Sequence, residues 1–314
     1  MPSVLKWMSR HNRKDMEQRI RAMEEKHTNR DDVLSVFDVP YVSDEGVRLT
    51  MDIYRPADME TQGRGPRPDQ KPDLLPVILV VHGGGLFVGH PRMEREVCEY
   101  LASRGFLVFA LSYRLITEAD GIGELSDLTA GFNHAGSLLA SYGGDPDRIY
   151  LVGESAGAWL SLYTAAMTRS ERIRRAIGLK AASIRIRGIV FVSGMFYTGK
   201  KDVIGLIYPR DLFGDRRKDP DFMQYMDPEN EKVIKSLPPV VLTSSRADYL
   251  RKYTLSYARA LKKAGHKCRL IYFPQEDKEL VHAFVTLKPD LPESREAWEK
   301  IIRMIKPVAD KGKP

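Results

Sequence analysis

Cysteine is nearly absent: the 314 residues include two, Cys98 and Cys268. They stand far apart and without C-x-x-C spacing, which argues against a disulfide framework or a cysteine metal site and fits a reducing compartment. Long apolar runs are missing too. The N-terminus offers only Val4, Leu5, Trp7 and Met8 before a run of charges, too brief for the core of a secretion signal. No uninterrupted apolar stretch approaches membrane-spanning length. The expectation is a cytoplasmic protein with no membrane partner. Internal repeats, zinc-finger spacing and aromatic RNA-binding signatures are also lacking.

Disorder is excluded by composition, since 43% of the residues are hydrophobic and 29% charged. A chain of this length can bury a full core as one catalytic domain with insertions. The net charge of +7 raises the question of nucleic acid. Much of the excess sits in residues 1–30, which hold eight Lys/Arg against four Asp/Glu. Met16, Ile20 and Met23 recur there at helical spacing, so the segment reads as a solvated amphipathic helix packed on the main domain. No nucleic-acid partner is expected.

After residue 35, short β-rich runs alternate with longer helical stretches, the pattern of crossover units on a mostly parallel sheet. Two opening strands, 35–42 and 47–55, are joined by the turn Ser43-Asp44-Glu45-Gly46 and should pair as a hairpin. Pro56 to Pro76 reads as a surface loop. Buried-strand candidates follow at 77–81, 106–111, 149–152, 188–193, 240–243 and 269–273, and helices near 91–103, 124–142, 156–169, 250–264 and 293–305. Between Ser193 and Pro239 lie more than forty residues rich in aromatics, too long for a plain loop. Two readings fit: a lid over the C-terminal edge of the sheet, or a satellite core.

Gly153-Glu154-Ser155-Ala156-Gly157 follows an apolar strand and opens a small-residue helix, the context of a nucleophile elbow. Glycines at 153 and 157 leave room for so tight a turn, and Ser155 is the candidate nucleophile. His82-Gly83-Gly84-Gly85 ends the strand 77–81. Backbone N–H groups of such a loop, with that of Ala156, can form an oxyanion hole.

A serine nucleophile needs a base, and the expected chain order is Ser, then Asp or Glu, then His. His11, His27, His134 and His266 precede or miss the loop after the last strand. His282 lies in it and is the candidate base, with His82 and His90 as structural histidines. Asp248 is the first carboxylate after the strand 240–243 and would orient the imidazole. Glu276, Asp277 and Glu279 are its rivals within the histidine's own loop.

Taken together, HGGG at 82–85, Tyr113-Arg114-Leu115, GGDPDRI at 143–149, GESAG at 153–157, Asp248-x-Leu250 and His282-x-Phe284 resemble the hormone-sensitive-lipase-like esterases of the α/β-hydrolase superfamily. The resemblance implies an α/β-hydrolase fold, a mostly parallel eight-stranded sheet flanked by helices, with a helical cap. It implies that Gly84, Gly85 and Ala156 donate to the oxyanion, Gly83 shapes that loop and His82 braces it. It also implies a cap built from residues 1–34 and 196–236, over a catalytic domain formed by 35–195 and 237–314. This chain departs from the family pattern at Ile116-Thr117-Glu118, where a proline-containing stretch is usual. It departs again at Tyr249 in place of a proline, and at Ala158 and Ala283 in place of glycines.

The function that follows is a serine carboxylesterase for short- to medium-chain acyl esters, working through an acyl-enzyme with no metal or organic cofactor. Its partner is a small-molecule ester, and a homodimer is compatible with the sequence. An esterase for acetyl or aromatic-acyl carbohydrate esters, or an amidase, fits the same fold. A non-catalytic ligand-binding protein is disfavoured by His282, which a plant hormone receptor of the superfamily has lost.

Overall fold

A computed structural model describes residues 3–58 and 74–305. Eight strands form one sheet in the order β1-β2-β4-β3-β5-β6-β7-β8. They are β1 (Val33–Val42), β2 (Arg48–Pro56), β3 (Leu75–Val81), β4 (Leu107–Leu111), β5 (Gly144–Glu154), β6 (Ile186–Val192), β7 (Val240–Ser245) and β8 (Cys268–Phe273). The first pair is an antiparallel hairpin and β2 also runs antiparallel to β4; every other pairing is parallel. β3 is buried at every residue, as a strand with helices on both faces must be.

The central strands fall where their apolar runs lie, but several boundaries move, two of them for a visible reason. β5 begins at Gly144 rather than 149, because its polar first turn is absorbed by a register shift against β3 between Leu75 and Val77. β3 begins at Leu75, inside the stretch read as loop from Pro56 to Pro76, and Pro56 itself closes β2; residues 59–73 of that stretch lie outside the described residues.

The flanking helices are α1 (Val4–Lys26), α2 (Arg95–Ser103), α3 (Gly121–Tyr142), α4 (Ala156–Arg169), α5 (Glu171–Ile177), α6 (Val203–Phe213), α7 (Pro220–Met223), α8 (Glu231–Lys235), α9 (Arg251–Lys263), α10 (Phe284–Leu287) and α11 (Pro292–Ile305). Local chemistry sets several of their ends. Asp120 caps α3 by accepting from the N–H groups of Ile122 and Gly123, and Gly143 ends it in the left-handed region. Ser170 and Gly178 do the same for α5. The helices bury two apolar layers, one on each face of the sheet.

Residues 196–236 hold α6, a 3-10 turn at Gly214–Lys218, α7 and α8. Most of their aromatics are core rather than pocket wall. Phe196, Phe213 and Phe222 are fully buried, with Phe213 edge-on to Phe222 and 6.0 Å from the Trp159 ring of α4. α1 lies against α6, joined by a Ser3–Asp211 hydrogen bond. At its other end, His27 meets Glu99 at 3.0 Å, and Arg92 bonds Glu24, Asp38 and Asp52 together. No helix among the described residues is long and apolar enough to cross a membrane.

Candidate active site

The sheet gathers the candidate residues along its C-terminal edge. β3 ends at the HGGG loop and its neighbour β5 ends at Ser155, while Asp248 and His282 follow β7 and β8. Ser155 sits at φ 49° and ψ −113°, a strained conformation for a residue with a side chain. The turn is that tight because the elbow has no spare volume: a Cβ at Gly153 would lie 2.6 Å from Ser161 Oγ, and one at Gly157 2.2 Å from the Val81 carbonyl oxygen.

Ser155, His282 and Asp248 form one hydrogen-bonded chain. His282 Nε2 is 2.8 Å from Ser155 Oγ, and His282 Nδ1 is 2.7 Å from Asp248 Oδ1. Asp248 is fully buried and also accepts from Ser244 Oγ at 2.6 Å and from the Leu250 N–H at 2.9 Å. Burial alone would raise its carboxyl, but the bonds from His282, Ser244 and Leu250 together outweigh it and hold the group below the usual range. An ionised Asp248 only accepts, so the neutral imidazole carries its proton on Nδ1 and leaves Nε2 to take the Ser155 proton. The rivals in the histidine loop point elsewhere. Glu276 pairs with Arg246, Glu279 with Lys288, and Asp277 Oδ1 accepts from the Glu279 N–H.

On the other side of Ser155, Gly84 and Gly85 adopt φ of +99° and +63°, where glycine is favoured. The N–H groups of Gly84, Gly85 and Ala156 donate to no group among the described residues. Ala156 opens α4, whose positive end faces the same space. Gly83 differs from these three. A Cβ there would run into the Glu154 carboxyl, so its backbone packs directly against that side chain. Buried His82 holds the Gly83 carbonyl through Nδ1 at 2.9 Å and stacks on Tyr113, whose hydroxyl donates to the His82 carbonyl at 2.9 Å. Burial lowers the His82 imidazole to about 4, so it stays neutral.

Sequence reasoning passed over several residues that hold this arrangement. Glu154 is buried against Gly83 with Oε1 3.7 Å from His282 Nε2; burial, reinforced by the charge of Glu94, pushes its carboxyl well above the ordinary range. Its position in the elbow is any-residue by motif, so only an acid in an otherwise small-residue turn could have drawn notice. Ser193, at φ 50° after β6, accepts from the Ala283 N–H at 3.0 Å and seats the histidine loop. Ser245 Oγ does likewise by bonding the Leu280 carbonyl. Tyr249 stacks on His282 with ring centroids 4.1 Å apart. Among the described residues, no group of three or more His, Cys, Asp or Glu side chains is placed to hold a metal ion.

Comparison with known proteins agrees with this architecture. A family model described as the alpha/beta hydrolase fold matches residues 78–286. Isoprenylcysteine alpha-carbonyl methylesterase of Arabidopsis thaliana is 25% identical over 219 residues, covering 66% of this chain and 51% of that protein. The chain thus spans about half the length of the plant methylesterases it matches. Versiconal hemiacetal acetate esterase of Dothistroma septosporum is 26% identical over 246 residues, covering 74% of this chain and 73% of that protein. Among solved structures, esterase B of Lactobacillus rhamnosis inhibited by a tributyrin phosphonate superposes with a TM-score of 0.80 at 21% identity, covering 96% of this chain and 94% of that one. At that identity the likeness is one of fold.

Proposed function

The chain belongs to the α/β-hydrolase-fold family, in its hormone-sensitive-lipase-like branch, and from that membership we propose that it is a serine carboxylesterase acting on small esters of short to medium acyl length. The observation that carries the reading is the single chain from Ser155 Oγ through His282 to Asp248, facing three unused N–H groups at the HGGG loop and elbow. In this reading His282 Nε2 takes the Ser155 proton as Oγ attacks the ester carbonyl. The N–H groups of Gly84, Gly85 and Ala156 receive the developing oxyanion. His282 returns the proton to the leaving alcohol, and water then releases the acid from the acyl-enzyme by the same route. Residues 1–34 and 196–236 form the cap that limits what reaches Ser155.

A narrower reading, an acetylesterase, is favoured by two relatives whose names specify acetyl removal, the versiconal hemiacetal acetate esterase and an acetyl-hydrolase of Streptomyces hygroscopicus. A panel of chromogenic esters of graded acyl length, with acetylated sugars and simple anilides, separates the two. The serine assignment is tested by Ser155→Ala, which should retain the fold and lose turnover by several orders of magnitude. A phosphonate should label the wild-type protein at Ser155 alone. Turnover in the alanine variant comparable to wild type would overturn the assignment.

A further inference from the structure

Tyr249 stands where the family pattern has proline, next to Asp248, and nothing in the triad requires an aromatic residue there. It is 72% exposed, yet its ring lies over the His282 imidazole at 4.1 Å with the planes tilted by 32°. Its hydroxyl lies near Ser155, although no hydrogen bond joins the two, and the serine is bonded to His282 Nε2 instead. A phenol keeps its proton at neutral pH, so Tyr249 acts as a hydrogen-bond donor.

The place of Tyr249 distinguishes the two halves of an ester. The proton that His282 Nε2 takes from serine is delivered to the leaving oxygen, so the alcohol portion must lie beside His282. The carbonyl oxygen lies toward the HGGG loop, where a different tyrosine, Tyr208, donates to the Gly85 carbonyl at 2.9 Å. Tyr249 thus sits on the alcohol side.

Resting on the serine-esterase reading above, we propose that Tyr249 is the leaving-group residue of this site. Its O–H donates to the departing alcohol oxygen beside His282, and its ring is the wall on which the alcohol portion lies. As the tetrahedral intermediate collapses, the bond between the carbonyl carbon and the alcohol oxygen breaks and the electron pair stays on that oxygen. The proton comes from His282 Nε2; Tyr249 keeps its own and contributes a hydrogen bond only. A poor leaving group gains most from that bond. 4-Nitrophenolate, whose charge is delocalised, gains least.

The test is kcat/KM, which reports acylation, for wild type, Tyr249→Phe, Tyr249→Ala and Ser155→Ala on two substrate series. One series holds acetate constant and varies the alcohol through 4-nitrophenol, phenol, benzyl alcohol and ethanol. The other holds 4-nitrophenol and varies the acyl chain. Tyr249→Phe should lower the ratio of ethyl to 4-nitrophenyl acetate turnover by about five- to tenfold, the worth of one hydrogen bond. Tyr249→Ala should also reduce the preference for benzyl over ethyl acetate, and both variants should keep the wild-type order of acyl preference. Equal losses on every alcohol, or a shift in acyl preference instead, would overturn the inference alone. Turnover surviving in Ser155→Ala would overturn the serine reading and the inference with it.

Discussion

Glu154 Oε1 lies 3.7 Å from His282 Nε2, the nitrogen that also holds Ser155 Oγ. A carboxylate there would compete with Asp248 for the imidazolium, but burial keeps Glu154 protonated and leaves Asp248 as the ionised neighbour. Its structural work is on the other side, where its carboxyl packs against Gly83 in the loop that carries Gly84 and Gly85. Glu154→Ala should leave a gap against Gly83, at about 1–3 kcal/mol of stability. It should also cost turnover by about ten- to a hundredfold through misplaced donors. Glu154→Gln keeps an acceptor and a neutral shape and should lose much less on both counts. Denaturant titration with ester kinetics checks this, and equal losses in the two variants would contradict it.

Asp248 and Asp277 are the sharpest pair of alternatives for the orienting acid. Asp248 is buried and bonded to His282 Nδ1, whereas Asp277 accepts from the Glu279 N–H in an exposed turn. Asp248→Asn should favour the wrong imidazole tautomer and reduce turnover by several orders of magnitude with little change in stability. Asp277→Asn should change turnover by less than about tenfold, as for other surface substitutions. The reverse ranking in steady-state kinetics would move the acid into the histidine loop.

Local grammar explains what could be read in advance. The central strands announce themselves because continuous apolar runs are needed between two helical layers, and HGGG and GESAG stand out because close backbone approach excludes side chains. Contacts between distant segments carry no such signature. The Ala283 N–H bond to Ser193 Oγ spans 90 residues, and neither partner is marked by type. The aromatics of 196–236 could equally have lined a pocket or filled a core. Packing of Phe213 and Phe222 behind Trp159 assigns those two to the core, a matter of three-dimensional placement that composition does not encode.

Glu94 supplies a pH signature separate from the chemistry. It is fully buried at the end of a 3-10 turn (Pro91–Glu94), and burial pushes its carboxyl from an ordinary 4.5 up to about 7. The folded state therefore binds this proton more tightly than the unfolded chain does. Its contribution to stability is whole below about pH 4.5 and fades as the pH rises through about 7. Removing the ionisable group should abolish that loss, on the order of 3 kcal/mol at full titration. Thermal melts from pH 4 to 8 should show Glu94→Gln gaining on wild type as the pH increases. A constant difference across the range would mean that folding leaves the Glu94 carboxyl at its ordinary value.

The acyl side of the site should favour small groups, because the volume behind the elbow is already occupied. Trp159, Phe196, Phe213 and Phe222 are fully buried around α4 and the excursion after β6, and Tyr208 closes over Gly85. A two- to four-carbon chain needs little room, and each methylene it buries is worth about 0.8 kcal/mol. A longer chain must leave its end in water or displace packed aromatics, at about 1–3 kcal/mol of strain for forced repacking. Rates on soluble 4-nitrophenyl esters with acyl chains of two to ten carbons should accordingly rise, peak and fall. Trp159→Ala, which opens the packing beside the elbow, should shift the peak toward longer chains while reducing stability by about 3–5 kcal/mol, as expected for truncating a large core side chain. A monotonic rise up to emulsified long-chain substrates in the wild-type protein would show that the packing behind Ser155 does not limit the acyl group.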